Sequence, residues 1–219
     1  MKLLPRILAW LITILMPLVL VFIGLRLVLT HGFLELEYRT PNFPGDDYGF
    51  TLQDRLHWSK VSWDYLLNSS EITFLGTRTL PDGSPLYNAR ELSHMQDVKK
   101  VIQPVLWLGY TACFLVIALG GWSRLGGWWQ EYLRGIRRGG WLTVGLVAAI
   151  GIFAAISFWQ FFTLVHKLFF TGDSWLFLYS DTLIRLFPLP FWQVAFLFPP
   201  VLAVLGGLAL GLALRPKAK

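Results

Sequence analysis

Four stretches of the chain, residues 7–29, 102–121, 141–164 and 193–214, each run apolar for about the 20 residues a helix needs to cross a bilayer's hydrocarbon. Between them the pattern changes. From His31 to Asn68 the chain turns polar, with Pro41, Pro44 and Gly45 marking loop. Thr51-Leu-Gln-Asp54 then reads as a capping box opening an amphipathic helix through about Leu67. Ile72-Thr-Phe-Leu alternates loosely, and Pro81-Asp-Gly-Ser84 supplies turn residues before Pro85-Leu-Tyr87, which predicts a small hairpin of two short strands. Asn88-Ala-Arg-Glu91 is a second cap signature, and the helix it opens continues into the second span. Along that helix Glu91 and His94 share a face, as do His94 and Asp97, each pair three residues apart. Pro17 predicts a kink in the first span and Pro104 a loosening at the start of the second.

The expected fold class is therefore an α-helical polytopic membrane protein with four transmembrane helices and a small α+β extracytoplasmic segment between helices 1 and 2. The expected organisation is helix 1 over residues 1–30, an extracytoplasmic segment over 31–100, helix 2 over 101–121, a basic cytoplasmic loop over 122–140 and helix 3 over 141–165. An extracytoplasmic aromatic loop over 166–192 and helix 4 with a basic tail over 193–219 complete it.

Charge fixes the orientation. The net charge of +6 could suggest nucleic acid, but its location argues otherwise. Lys2 and Arg6 precede the first span, Arg124, Arg134, Arg137 and Arg138 fill the connection between spans two and three, and Arg215, Lys217 and Lys219 end the chain, with Glu131 the one acid among them. By the positive-inside rule these segments and both termini are cytoplasmic. No nucleic-acid partner is expected. The polar segment and the loop after span three then share the outer side. The first span follows a basic start like a secretory signal, yet its apolar run is too long and no small-residue cleavage site follows Thr30, so it reads as an uncleaved anchor. With 55% hydrophobic and 15% charged residues, eleven Trp and seventeen Phe, the chain is too apolar for an ordinary soluble domain. The loop from Trp175 through Phe177, Tyr179, Phe187, Pro188, Pro190, Phe191 and Trp192 is too aromatic for a solvated linker, and is expected to lie in the outer interface. Gly206, Gly207 and Gly211 offer small residues for close helix packing.

Candidate chemistry is sparse. His31 and His57 fall in the polar segment, while His94 and His166 stand at the outer ends of spans two and three. Their meeting requires a tilt or bend, since His94 precedes the apolar run by roughly 10 Å of helix. A neutral imidazole can take a proton from an amine and return it, which suits acyl transfer. Asp97 or Asp181 could orient such a base, although a carboxylate there also serves as a cap or ion-pair partner. The single Cys113 lies inside a span, without a partner for a disulfide. Gly-x-Ser-x-Gly, Walker, His-Glu-x-x-His and Gly-x-Gly-x-x-Gly motifs are absent from the sequence, which removes the usual serine hydrolase, P-loop, zincin and dinucleotide readings. Close metal-ligand spacing is absent too, and no metal is expected.

Glu91-Leu-Ser-His94-Met-Gln-Asp97-Val-Lys99, Phe162-Thr-Leu-Val-His166-Lys-Leu-Phe-Phe170, Trp175, and Asp181-Thr-Leu-Ile-Arg-Leu-Phe-Pro188 with Phe191-Trp192 resemble the bacterial lipoprotein intramolecular transacylase (Lit) family. The four-span plan and the outer segment with Pro44-Gly-Asp-Asp-Tyr-Gly49 fit as well. The resemblance implies a bacterial cell-membrane enzyme, active on the extracytoplasmic side. Such an enzyme moves the sn-2 acyl chain of a diacylglyceryl-modified lipoprotein onto the α-amine of the lipoprotein's own N-terminal cysteine, leaving the N-acyl lyso form. It implies diacylglyceryl lipoproteins and membrane lipid as partners, no cofactor, and His94 and His166 as the catalytic pair. His94 is assigned as base and His166 as donor to the oxyanion or leaving oxygen. Glu91, Asp97 and Asp181 are supporting candidates. Trp175, Tyr179, Arg185, Phe191 and Trp192 are candidates for holding substrate. Two rival readings stay open: a non-catalytic membrane anchor or partner-binding module, and a metal-dependent membrane hydrolase.

Overall fold

The computed structural model describes residues 3–41, 43–170 and 172–214, with the side chains of 153–155 outside that description. Lys2, Arg215, Lys217 and Lys219, part of the expected basic ends, lie outside the described residues. The chain is almost wholly helical: α1 Leu3–Val28, α2 His31–Glu37, α3 Leu52–Leu67, α4 Thr73–Gly76, α5 Ala89–Leu125, α6 Trp129–Ile156, α7 Phe158–Phe169, α8 Thr182–Leu186 and α9 Leu189–Ala213. Three of these, α1, α5 and α9, are long and apolar enough to cross a membrane; α6 is a fourth long helix, of 28 residues. α1 and α5 run unbroken through Pro17 and Pro104.

The local signals acted as caps and breaks should. Thr51 accepts from the Asp54 N–H while the Asp54 carboxylate accepts from the Thr51 N–H, a complete capping box at the start of α3. Asn88 and Glu91 repeat it at the start of α5, with reciprocal bonds of 2.8 and 3.0 Å.

The expected two-stranded hairpin is not found. Its turn exists, with the Leu80 N–H donating to the Ser84 carbonyl at 2.8 Å, but no strand forms among the described residues and pairing shrinks to one antiparallel bridge between Thr79 and Pro85. Proline has no N–H to continue a ladder, and Ile72-Thr-Phe-Leu overlaps the single helical turn of α4, which buries Leu75 completely. Four alternating residues do not separate strand from helix.

The helix limits differ from those expected in three further places. The supposed loop over 122–140 is mostly helix, reduced to a turn between Leu125 and Trp129. The supposed third span over 141–165 is two helices: α6 starts early, at Trp129, and ends at Ser157, whose φ of −158° and ψ of 103° are extended backbone, before α7 begins. The supposed interfacial loop over 166–192 contains the end of α7, all of α8 and the start of α9.

Two compact units divide the chain. One comprises residues 1–27, 106–157 and 197–219, the other 28–105 and 158–196. In the first, Ile12, Met16 and Leu20 of α1 pack with Ala112 and Val116 of α5, Ile136 of α6 and Ala203 of α9. Glycine permits the closest approach. A Cβ on Gly140 would lie 2.6 Å from the Gly207 carbonyl oxygen, so α6 and α9 touch backbone to backbone. Such contact is a substitute for the hydrophobic effect, which offers little between helices in lipid. Ile14, Phe114, Ile117 and Leu205 are more than half exposed, as suits side chains facing acyl chains.

In the second unit the core is aromatic. Phe191 is fully buried among Phe33, Tyr38, Trp63 and Phe187, and Trp63 donates its indole N–H to the Val28 carbonyl at 3.0 Å. Arg55, 4% exposed, donates to the carbonyls of Pro44 and Arg185 at 2.6 and 2.9 Å and lies over the Tyr38 and Phe43 rings. A buried guanidinium satisfied this way ties the 43–50 loop to α8.

Candidate active site

His94 occupies the second turn of α5, so the Asn88–Glu91 capping box sets its position. His166 lies on the last turn of α7, one helical turn after Phe162. The two imidazoles come together: their ring centroids are 6.4 Å apart and the planes differ by 13°. α7, which carries His166, starts afresh after the extended backbone of Ser157.

Aromatic rings surround the pair. His94 has Phe170 at 4.9 Å and Phe177 at 5.2 Å; His166 has Phe162 at 4.0 Å, Trp175 at 4.8 Å and Phe170 at 5.5 Å. Phe162, Phe170 and Phe177 were not among the sequence candidates. For Phe162 and His166 the i, i+4 spacing on one helix was the available signal.

Hydrogen bonding distinguishes the two histidines. His166 Nδ1 lies 2.8 Å from the Phe162 carbonyl oxygen. A carbonyl only accepts, so Nδ1 carries the proton and Nε2 keeps the lone pair. His94 Nδ1 is buried with no partner among the described residues. Burial, then the neighbouring His166, draws the His94 imidazole down to about 4, with Asp97 acting against them. His166 is also lowered by burial, and the Phe162 carbonyl opposes that shift. Both rings are thus neutral at ordinary pH.

Among the described residues the carboxylate candidates bond to groups other than the imidazoles. Glu91, 1% exposed, accepts from the Asn88 N–H at 2.8 Å and the Leu183 N–H at 2.7 Å, which clamps α8 to the start of α5. Burial raises its pKa despite these bonds. Asp97 pairs with Lys100 at 2.9 Å. Asp181 accepts from the Leu178 N–H and the Asn88 side-chain amide at 2.8 and 3.0 Å, holding the loop that follows Trp175. Glu91 and Asp181 thus hold backbone N–H groups, and Asp97 a lysine side chain.

The expected substrate-holding residues separate as well. Trp175 is 8% exposed and beside His166. Tyr179 is 82% exposed. Arg185 is paired with Asp46 through bonds of 3.1 and 3.0 Å and lies 3.5 Å from the Phe50 ring centroid, which holds the loop before α3. Phe191 belongs to the core, and Trp192, half-buried, packs on Phe187, Phe191 and Phe196. Within this stretch Trp175, Phe187 and Phe191 are buried, whereas Tyr179 stays exposed. An aromatic run reads alike whether it faces headgroups or a protein core. Away from the pair, His31 bonds Asp64 at 2.8 Å and His57 packs on Trp58. No group of three His, Cys, Asp or Glu side chains is gathered for a metal among the described residues.

Comparison with known proteins places the chain in a family and a fold. The chain is 27% identical over 212 residues to an uncharacterized protein of Aquifex aeolicus (strain VF5), covering 93% of this chain and 91% of that one. Its fold is similar to the membrane-integral lipoprotein intramolecular transacylase Lit of Bacillus cereus, with a TM-score of 0.71 and 20% identity, over 94% of this chain and 92% of that one. A variant of the Bacillus protein in which one histidine is replaced by alanine superposes equally, with a TM-score of 0.71 at 20% identity over 94% and 90% of the two chains. The family model for lipoprotein intramolecular transacylase Lit matches residues 10–192, and the chain belongs to that family.

Proposed function

We propose that the family's reaction, lipoprotein intramolecular transacylation, proceeds in this chain at the paired imidazoles of His94 and His166, as a transfer of an ester-linked acyl chain to an amine within one lipoprotein molecule. The acyl chain leaves the sn-2 oxygen of the diacylglyceryl group and is received by the α-amine of the N-terminal cysteine. The observation that carries this reading is the pair itself: two neutral rings 6.4 Å apart, from different helices, inside an aromatic wall.

The requirements of the reaction match the groups present. An amine with a pKa near 8 must lose a proton, an oxyanion must be stabilised, and the departing glyceryl oxygen must gain a proton. His166 is the better base, because its Nδ1–H is committed to a carbonyl and its Nε2 lone pair is left to act. It takes the amine proton and returns it to the glyceryl oxygen. His94, the more strongly resistant to protonation, is suited to donate from a neutral ring to the oxyanion. These roles reverse those assigned from the sequence. Aromatic walls exclude the water that would otherwise hydrolyse the ester, and holding amine and ester in register contributes on the order of 7 to 11 kcal/mol.

The setting is a membrane, and the charge pattern supports a multi-pass arrangement in which α1, α5, α6 and α9 cross the bacterial cell membrane, the termini are cytoplasmic and the histidines are extracytoplasmic. Mass spectrometry of a reporter lipoprotein's N-terminal peptide tests the function. Co-expression with the wild-type chain yields the N-acyl lyso form; co-expression with His94→Ala or His166→Ala leaves the diacylglyceryl form with a free amine. Full conversion by either variant removes that histidine from the mechanism.

A further inference from the structure

Four buried side-chain polar atoms have no hydrogen-bond partner among the described residues: His94 Nδ1, Thr163 Oγ1, Ser174 Oγ and Trp175 Nε1. All four belong to the three segments that carry the histidine site, namely the start of α5, α7 and the turn after it. Buried polar groups are nearly always paired, so orphans confined to these segments point to a partner that arrives with the substrate.

Trp175 is the most specific of the four. Hydroxyls at Thr163 and Ser174 rotate, and His94 can change tautomer, but an indole N–H points one way and only donates. Trp63 shows how a structural tryptophan of this fold behaves: it is 3% exposed and its N–H meets the Val28 carbonyl at 3.0 Å. Trp175 is 8% exposed and its N–H meets no acceptor among the described residues. Its ring lies 4.8 Å from His166, tilted by 38°. A donor without an acceptor, next to the base, is suited to negative charge that exists only during the reaction.

We propose that Trp175 is a further catalytic residue, whose indole N–H donates to the carbonyl oxygen of the migrating acyl group as that oxygen becomes an oxyanion. This rests on the transacylation at His94 and His166 proposed above. The amine nitrogen bonds to the ester carbon, and the carbonyl π pair moves onto oxygen, where the Trp175 N–H and His94 meet it. The amine proton passes to His166 Nε2. Collapse of the oxyanion breaks the bond to the glyceryl oxygen, which takes the proton from His166. The indole proton is shared and never transferred, so Trp175 needs no titration and no cofactor.

The test uses the full chain in lipid membranes with a diacylglyceryl lipoprotein, and reads kcat, KM and thermal midpoint. Trp175→Phe keeps an aromatic wall and removes the donor. Benzothienylalanine at the same position keeps the tryptophan shape without the N–H, and decides the matter if the phenylalanine variant folds poorly. Expected is a fall in kcat of about 100-fold in both, with KM within a factor of about two and the thermal midpoint of the benzothienyl variant not lowered, since no native hydrogen bond is lost. Wild-type kcat in the benzothienyl variant overturns the proposal, as does a raised KM at constant kcat, which would make Trp175 a wall for the acyl chain. His94→Ala and His166→Ala run alongside: if both keep full rate the histidine mechanism itself fails, whereas inactive histidine variants beside a fully active benzothienyl enzyme remove Trp175 alone.

Discussion

A buried imidazole is a stability element as well as a reagent. Because burial holds His94 down to about 4 from 6.5, the folded chain keeps it neutral while the unfolded chain protonates it at about 6.5. The folded value is depressed, so this contribution is complete above about 6.5 and is lost as pH falls towards 4, by an amount on the order of 3 kcal/mol. Thermal midpoints in detergent, followed from pH 7.5 to 4, should show the wild-type chain falling more steeply than His94→Gln, with their difference narrowing as acid is added. Parallel curves would mean that His94 titrates at its ordinary value. His166, lowered in the same direction, adds to the slope in both proteins and cancels in the comparison.

At the scale of elements, the site depends on joints between helices. Glu91 joins two of them with separate oxygens, Oε2 receiving the Asn88 N–H and Oε1 the Leu183 N–H. An amide cannot replace it, because one of its two ends would present hydrogens to an N–H. Glu91→Gln should therefore lower the thermal midpoint by an amount corresponding to about 1–3 kcal/mol, and lower transacylation with it, since α5 carries His94 just one turn on. Asp97→Asn, at a partly exposed ion pair with Lys100, should change the midpoint by less than about 1 kcal/mol. A stable, fully active Glu91→Gln protein would show that the clamp is dispensable. The break at Ser157 is the second joint. It starts α7 afresh, and α7 brings Phe162 and His166 to the same face.

For the whole molecule, helix packing in the apolar unit rests on glycine contacts that leave no room for a side chain. Gly140→Val should unfold the protein in detergent or lower its midpoint sharply, because its Cβ would fall 2.6 Å from the Gly207 carbonyl oxygen. Gly145→Ala, in open space on the same helix, should be neutral; equal tolerance of both substitutions would refute the close contact. Topology is tested in a Cys113→Ser background. Asp82→Cys should react with an impermeant thiol reagent applied outside intact cells, and Leu125→Cys, 91% exposed at the end of α5, should react only after the membrane is opened. Labelling of both from outside would contradict the orientation read from the arginines.

Local rules carried far along this sequence. The apolar runs of α1, α5 and α9, the caps at Thr51 and Asn88, and the basic connections were legible because each depends on residues a few positions apart, or on composition over a span. The lipoprotein transacylase motifs were legible for the same reason. Tertiary structure decided the rest. Only the fold brings the ring of His94 to that of His166, turns Arg185 towards Asp46 and Phe191 into a core, and leaves Trp175 as a donor without an acceptor among the described residues. No periodicity encodes those outcomes, because burial and hydrogen-bond partners are set by residues some 70 to 140 positions away, and the same aromatic and charged side chains satisfy several environments equally until the neighbours are in place.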